Sequence, residues 1–197
     1  MAVKRLLTKL DLRDVTLLGE SMGATLALTT AADHPERVRR VVAINAYDYS
    51  GGIARSSFLA RFIITGVTMP AIGPLLATQE PRPVMRAILK GGLVDPTALR
   101  DDNLDELLRV GKHPGYSVVA RAVYRNLPSL IAARERYAKV IAPIHLIYGE
   151  QDWSRPSDRQ ANRHLLPKAE FTSVPSAGHF VALERPEVPA KVLNALA

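Results

Sequence analysis

Residues 15–24, VTLLGESMGA, constrain this chain more than any other stretch. A short apolar run ends on Gly19 and passes at once into MGATLALTTAAD, which is rich in helix formers. An apolar run closed by glycine reads as a buried strand, here 15–19. The next apolar stretch, RVRRVVAIN, predicts a second strand at about 38–45. Strand, helix and strand with short connections form a βαβ unit. Such a unit requires a parallel sheet with helices on its faces.

The same logic recurs near the C-terminus. APIHLIYGEQD predicts a strand near 143–149, and AEFTSVP another at about 169–174. Between them SRPSDRQANRHLLP reads as a helix, with Ser154 as its expected cap and Pro156 in its first turn. PEVPAKVLNALA closes the chain as a helix, and Val3, Leu6, Leu7 and Leu10 fall at helical spacing before the first strand. Residues 50–142 show no strand rhythm. They carry helical patterns, SSFLARFII, PRPVMRAILKG and LDELLRVG, broken by Gly and Pro. The expected organisation is an α/β core from residues 1–49 and 143–197 with an inserted, mainly helical cap at 50–142.

Composition removes several function classes. The 197 residues contain no cysteine, which excludes disulfides, thiolate metal sites and a cysteine nucleophile. The net charge of +7 comes from 26 scattered basic residues without a basic run or interleaved aromatics, so no nucleic-acid groove is expected. Residues 62–77, FIITGVTMPAIGPLLA, are uncharged, but a membrane span needs about 20 predominantly apolar residues. Gly66, Pro70, Gly73 and Pro74 interrupt this one, which reads as a buried cap segment or a pocket wall. Membrane contact is therefore not expected. The N-terminus, MAVKRLLTKLDLRDV, is charged throughout and unlike a signal peptide, so the expected location is cytoplasmic.

Gly19-Glu20-Ser21-Met22-Gly23 fits G-x-S-x-G, with a predicted strand before it and a helix after it. A serine at such a turn sits on strained backbone with its side chain thrust outward. The helix N-terminus adds a positive field suited to a developing oxyanion. A serine needs a base, and the base needs an orienting acid. Asp152 follows the strand IHLIYGE, and His179 follows EFTSVP in the loop SAGH. Sites in open parallel sheets form beyond the C-terminal strand ends, where Ser21, Asp152 and His179 are all placed. Asp48, in NAYDY, is a rival acid, although the GEQDW loop favours Asp152. His34, His113, His145 and His164 lack partners of suitable type and spacing. No histidine pair has ligand spacing, so no metal is expected. Glu20 is expected to be solvated or salt-bridged.

LLGESMGATLAL, HPERVRRVVAIN, PIHLIYGEQDWSRP and VPSAGHFVALERPE together resemble the α/β-hydrolase family across nearly all of the chain outside the cap. The resemblance implies Ser21 as nucleophile, His179 as general base and Asp152 as acid. The backbone N–H of Met22 would be one oxyanion donor. A serine at the elbow argues against the family's dehalogenases and epoxide hydrolases, which typically use aspartate there. Phe58, Phe62, Ile63 and Met69 of the cap, with Trp153, would form an apolar wall for a small or medium hydrophobic substrate. No cofactor is implied.

The chain departs from the family pattern at its start. Fourteen residues precede Val15, and no His-Gly pair occurs upstream of Ser21. The family normally places four strands and a second oxyanion loop there. The sequence therefore reads as a hydrolase core lacking its N-terminal strands, with an exposed sheet edge open to self-association. Two functions are expected from it. The first is a serine hydrolase cleaving a carboxylic ester or related acyl bond. The second is a non-catalytic fragment or interaction module of hydrolase ancestry.

Overall fold

In the computed structural model, residues 2–79 and 81–195 are described. Helix α1 (Ala2–Lys9) leads into strand β1 (Val15–Glu20), helix α2 (Met22–Asp33) and strand β2 (Val38–Ile44). A short 3-10 turn at Gly52–Arg55 then opens a helical stretch. It contains α3 (Phe58–Thr68), α4 (Gly73–Leu76), α5 (Arg82–Lys90), α6 (Asp101–Gly111), α7 (Tyr116–Arg125) and α8 (Leu127–Ala132). A 3-10 run at Ala133–Lys139 leads to β3 (Ile144–Gly149), α9 (Pro156–Leu165), β4 (Glu170–Val174), α10 (Val181–Glu184) and α11 (Glu187–Asn194).

The strands lie in the order β1-β2-β3-β4, and every neighbouring pair is parallel. Their side chains alternate between two apolar layers, as a sheet buried on both faces requires. On one face Leu17, Val41, Ala43, Leu146 and Tyr148 pack against Ala24, Ala27, Leu28 and Ala31 of α2, with Tyr137 and Leu166. On the other, Val42, Ile44, Ile147 and Val174 meet Val181, Val188 and Val192 of α10 and α11. Leu28, Ile44 and Ile147 are fully buried, each contributing about 1.5–3 kcal/mol. At β1 this layering is incomplete: Leu18 is exposed, and β1 has one strand neighbour among the described residues.

The helical stretch holds itself together partly through charge. Arg82 and Arg86 of α5 bond Asp101 and Asp105 of α6. Asp101 and Asp102 also lie in the first turn of α6, where the helix dipole favours carboxylates. Ser57 caps α3 by accepting the Ala60 N–H at 3.1 Å. Helices α4, α7 and α8 are not legible from the pattern. Helix α7 is rich in valine, a weak helix former, and is supported by packing on α3 and α4. Ser154 does not cap α9. Arg155 holds that position, its N–H donating to Asp158 at 2.8 Å, while Ser154 turns to Asp152. Residues 62–77 are not a buried segment, since Phe62, Met69, Ile72, Leu75 and Leu76 are exposed. Among the described residues no helix is long and apolar enough to cross a membrane.

The two elbow glycines differ physically. A Cβ on Gly19 would lie 2.3 Å from the backbone of Gly23 and 2.7 Å from Ala24 N, atoms that cannot move aside. A Cβ on Gly23 meets nothing within 4 Å. Of the two, Gly19 is the one that relieves crowding. Gly19→Ala should lower stability by about 3 kcal/mol in urea denaturation. Gly23→Ala should raise it by roughly 0.5–1 kcal/mol, because glycine is a poor helix residue.

Candidate active site

Ser21 stands where β1 ends and α2 begins. Its φ of 58° and ψ of −124° are a conformation that costs a residue with a side chain on the order of 1–3 kcal/mol. Neighbouring backbone holds it there. The Ser21 N–H donates to Ile44 O at 2.9 Å, and the Ser21 carbonyl accepts from Tyr47 N–H at 3.1 Å. The hydroxyl makes no capping bond to α2. Met22 opens that helix, so its N–H belongs to the first turn, which has no intrahelical acceptors.

The Ser21 hydroxyl meets His179 instead. His179 Nε2 lies 2.8 Å from Ser21 Oγ, and its Nδ1 lies 2.5 Å from Asp152 Oδ1. His179 is buried in the loop after β4, and Asp152 is buried in the loop after β3. The second Asp152 oxygen accepts the Ser154 N–H at 3.0 Å and also its hydroxyl. Arg159 Nε in turn donates to Ser154 Oγ at 2.9 Å. Burial pushes the Asp152 carboxyl up. The bond and charge of His179, with the Ser154 donors, outweigh burial and hold it below its ordinary value. Asp152 is therefore ionised at neutral pH.

Trp153 stacks on the imidazole, its ring centroid 3.8 Å from that of His179 and 11° from coplanar. Phe180 and Tyr47 meet the same ring edge-on at 5.2 and 6.3 Å. Asn45, buried at the end of β2, fixes the loop from beneath. Its Nδ2 donates to the carbonyls of Gly178 at 3.0 Å and His179 at 2.8 Å, and its Oδ1 accepts the Gly149 N–H at 3.0 Å.

A sequence profile described as the alpha/beta hydrolase family matches residues 2–192. The chain belongs to the alpha/beta hydrolase family. It is similar to the sn-1-specific diacylglycerol lipase ABHD11 of Mus musculus, 25% identical over 186 residues, covering 92% of this chain and 58% of the relative. It is also similar to a probable 1-acylglycerol-3-phosphate O-acyltransferase of Oryza sativa subsp. japonica, at 26% identity over 202 residues, covering 89% of this chain and 48% of the relative. The chain thus spans about half the length of these curated relatives. Among solved structures, the haloalkane dehalogenase DatA of Agrobacterium tumefaciens C58 superposes with a TM-score of 0.81 at 23% identity. That match covers 98% of this chain and 69% of DatA, and shows the shared fold.

Within this hydrolase fold the other sequence-derived positions fall as follows. Asp48, the rival acid, does not meet His179. It accepts from Tyr137 Oη at 2.8 Å and from Asn162 Nδ2 at 2.9 and 3.1 Å, inside the core. Glu20 is only partly solvated. It is half-buried, accepts the Ala182 N–H at 2.9 Å, and is pushed up by that burial to about 7. His145 pairs with Glu170 at 3.2 Å and Thr172 Oγ1 at 2.7 Å along the sheet. Among the described residues no three His, Asp or Glu side chains converge as a metal ligand set.

The residues read as an apolar wall divide. Phe62, Ile63 and Met69 line a cavity of about 460 Å3 among α3, α4, α5 and α7. Phe58, the first residue of α3, does not line it and is 84% exposed. Trp153 is likewise absent from its lining and covers His179 instead. None of Ser21, Met22, Asp152 or His179 lines this cavity. Asn45 and Glu184 are among the residues at the site that escaped the sequence pattern. The available signal was polarity out of place: an amide closing a strand, and a carboxylate inside the apolar run HFVALE.

Burial dominates the ionisation of Asp48 and raises it from 3.8 to about 6, against the opposing pull of Tyr137, Arg134 and Asn162. The folded state therefore favours the neutral acid. This stabilisation is full below pH 4 and is lost as pH rises through 6. Asp48→Asn keeps the group neutral throughout. Its stability relative to wild type should rise between pH 4 and 7 by up to about 3 kcal/mol, then level off. Urea denaturation across that range reads the difference.

Proposed function

We propose that this protein is a serine hydrolase that cleaves a carboxylic ester or related acyl bond of a small to medium hydrophobic substrate. The observation that carries this reading is the unbroken line from Ser21 Oγ to His179 Nε2, and from His179 Nδ1 to Asp152, at 2.8 and 2.5 Å. Ser21 attacks the acyl carbonyl and its proton passes to His179 Nε2. Asp152 keeps the other imidazole proton on Nδ1 and stabilises the imidazolium as it forms. The Met22 N–H and the positive end of α2 face the developing oxyanion. His179 returns the proton to the leaving alcohol. Water, activated by the same imidazole, then releases the acid.

The helical stretch 50–142 acts in this reading as the cap over the core. Its cavity supplies apolar surface for the acyl or alcohol portion of the substrate. The names of both curated relatives, a diacylglycerol lipase and a probable acylglycerol-phosphate acyltransferase, concern acyl groups on glycerol. They favour acyl esters within the substrate class.

Incubation with a fluorophosphonate should place one adduct on Ser21 by peptide mass mapping. Ser21→Ala should take none. Asp152→Asn should hydrolyse p-nitrophenyl esters about 10⁴-fold more slowly, because the imidazole loses its correct tautomer. A folded wild-type chain that takes no adduct and hydrolyses no ester would sink the proposal in favour of a non-catalytic module.

A further inference from the structure

We propose that Glu184 is a positioning residue. Its carboxylate latches the segment after α5 onto the loop that carries His179, so the imidazole is held at Ser21 only while that seam is closed. This rests on the reading of Ser21, His179 and Asp152 as a working triad.

Glu184 ends α10 and is buried. One carboxylate oxygen accepts the N–H groups of Val94 at 2.7 Å and Asp95 at 2.8 Å. The other accepts the Gly178 N–H at 2.6 Å. Gly178 directly precedes His179, whereas Val94 and Asp95 belong to the helical stretch. One side chain therefore bonds both sides of the seam. Two further bonds cross it. The His179 N–H donates to Gly92 O at 2.7 Å, and Trp153 Nε1–H donates to Gly91 O at 3.2 Å.

The chemistry makes the latch cooperative. A buried carboxylate is tolerated only while hydrogen-bond donors satisfy it, and bonds to an ionised acceptor are the strong ones. Separating the two sides takes both donors from one Glu184 oxygen and leaves the N–H groups of Val94, Asp95 and His179 without their acceptors. Glutamine has the same shape but one acceptor oxygen, and its amide NH2 would face a backbone N–H on the other side. The latch also joins the site to the apolar cavity. Val84, Met85 and Ile88 of α5 line that cavity, and the chain passes from the end of that helix directly into Gly91 and Gly92.

The test uses Glu184→Gln and, independently, Gly92→Ala. A Cβ at Gly92 would come within 2.6 Å of Phe180 and 2.9 Å of Trp153, wedging the seam without touching Glu184. Circular dichroism establishes folding. Hydrogen exchange then reads residues 91–95 and 177–180, and fluorophosphonate kinetics separate the maximal labelling rate of Ser21 from reagent affinity. Exchange should rise in both segments together. The maximal labelling rate should fall on the order of 10²-fold, the cost of a small misplacement, at nearly constant affinity.

Exchange that rises in one segment alone overturns the latch. A labelling rate that survives opening of both segments makes Glu184 merely structural. If Glu184→Gln does not fold, Gly92→Ala decides by the same two readouts. The exchange result judges the seam whether or not the wild type takes label, so its failure is distinct from failure of the triad reading.

Discussion

Asn45 joins the ends of three strands at the edge where the site lies. Strand ends leave backbone groups without ladder partners, and buried groups of this kind must find others. Here the Asn45 amide takes the carbonyls of Gly178 and His179 and the N–H of Gly149, while its own N–H donates to Ile147 O at 2.8 Å. Its φ of 45° is one that asparagine tolerates better than most residues. With β2 in the interior of the sheet, this side chain is placed to hold the loops after β3 and β4 in fixed relation. The geometry of Ser21, His179 and Asp152 depends on that relation.

The same core treats carboxylates in opposite ways. Asp152 faces an imidazole able to take positive charge, and its second oxygen has two donors from Ser154, so it stays ionised. Asp48 faces the neutral Tyr137 and Asn162 and is pushed up to about 6, while Glu20 rises to about 7. Environment, not residue type, separates them. Asp152, rather than Asp48, is the proposed acid because it is the carboxylate that meets His179 Nδ1.

The helical stretch is tied to this edge at few but well-bonded points. Arg55 donates to Trp153 O at 3.1 Å and to Asp158 at 2.9 Å, beside the Trp153 and Glu184 bonds to the segment after α5. The apolar cavity is lined by residues of the helical stretch, and Ser21, Asp152 and His179 are not among them. Two segments join the cavity lining to these ties: α5, which leads into Gly91, and the turn Gly52–Arg55, whose Ile53 lines the cavity and whose Arg55 bonds Trp153.

Much of this was legible in the chain because it is local. Short apolar runs, a glycine at Gly19 and Pro156 at a helix start act within a few residues, so all four strands and most core helices could be read from pattern. Ser21, Asp152 and His179 could be placed because each follows a strand, and parallel strands end on one edge. Phe58, Trp153, Ser154, Asn45 and Glu184 could not. Which way Phe58 faces depends on how α3 lies, and Trp153 covers His179 only because two distant loops meet. Glu184 looks like an ordinary charged residue until Val94, Asp95 and Gly178 surround it. The sequence alone determined periodicity, element order and the order of the candidate site residues, all set by neighbours along the chain. Tertiary structure decided which polar groups are buried, what satisfies them and how each carboxylate ionises, since those energies depend on groups far apart in sequence.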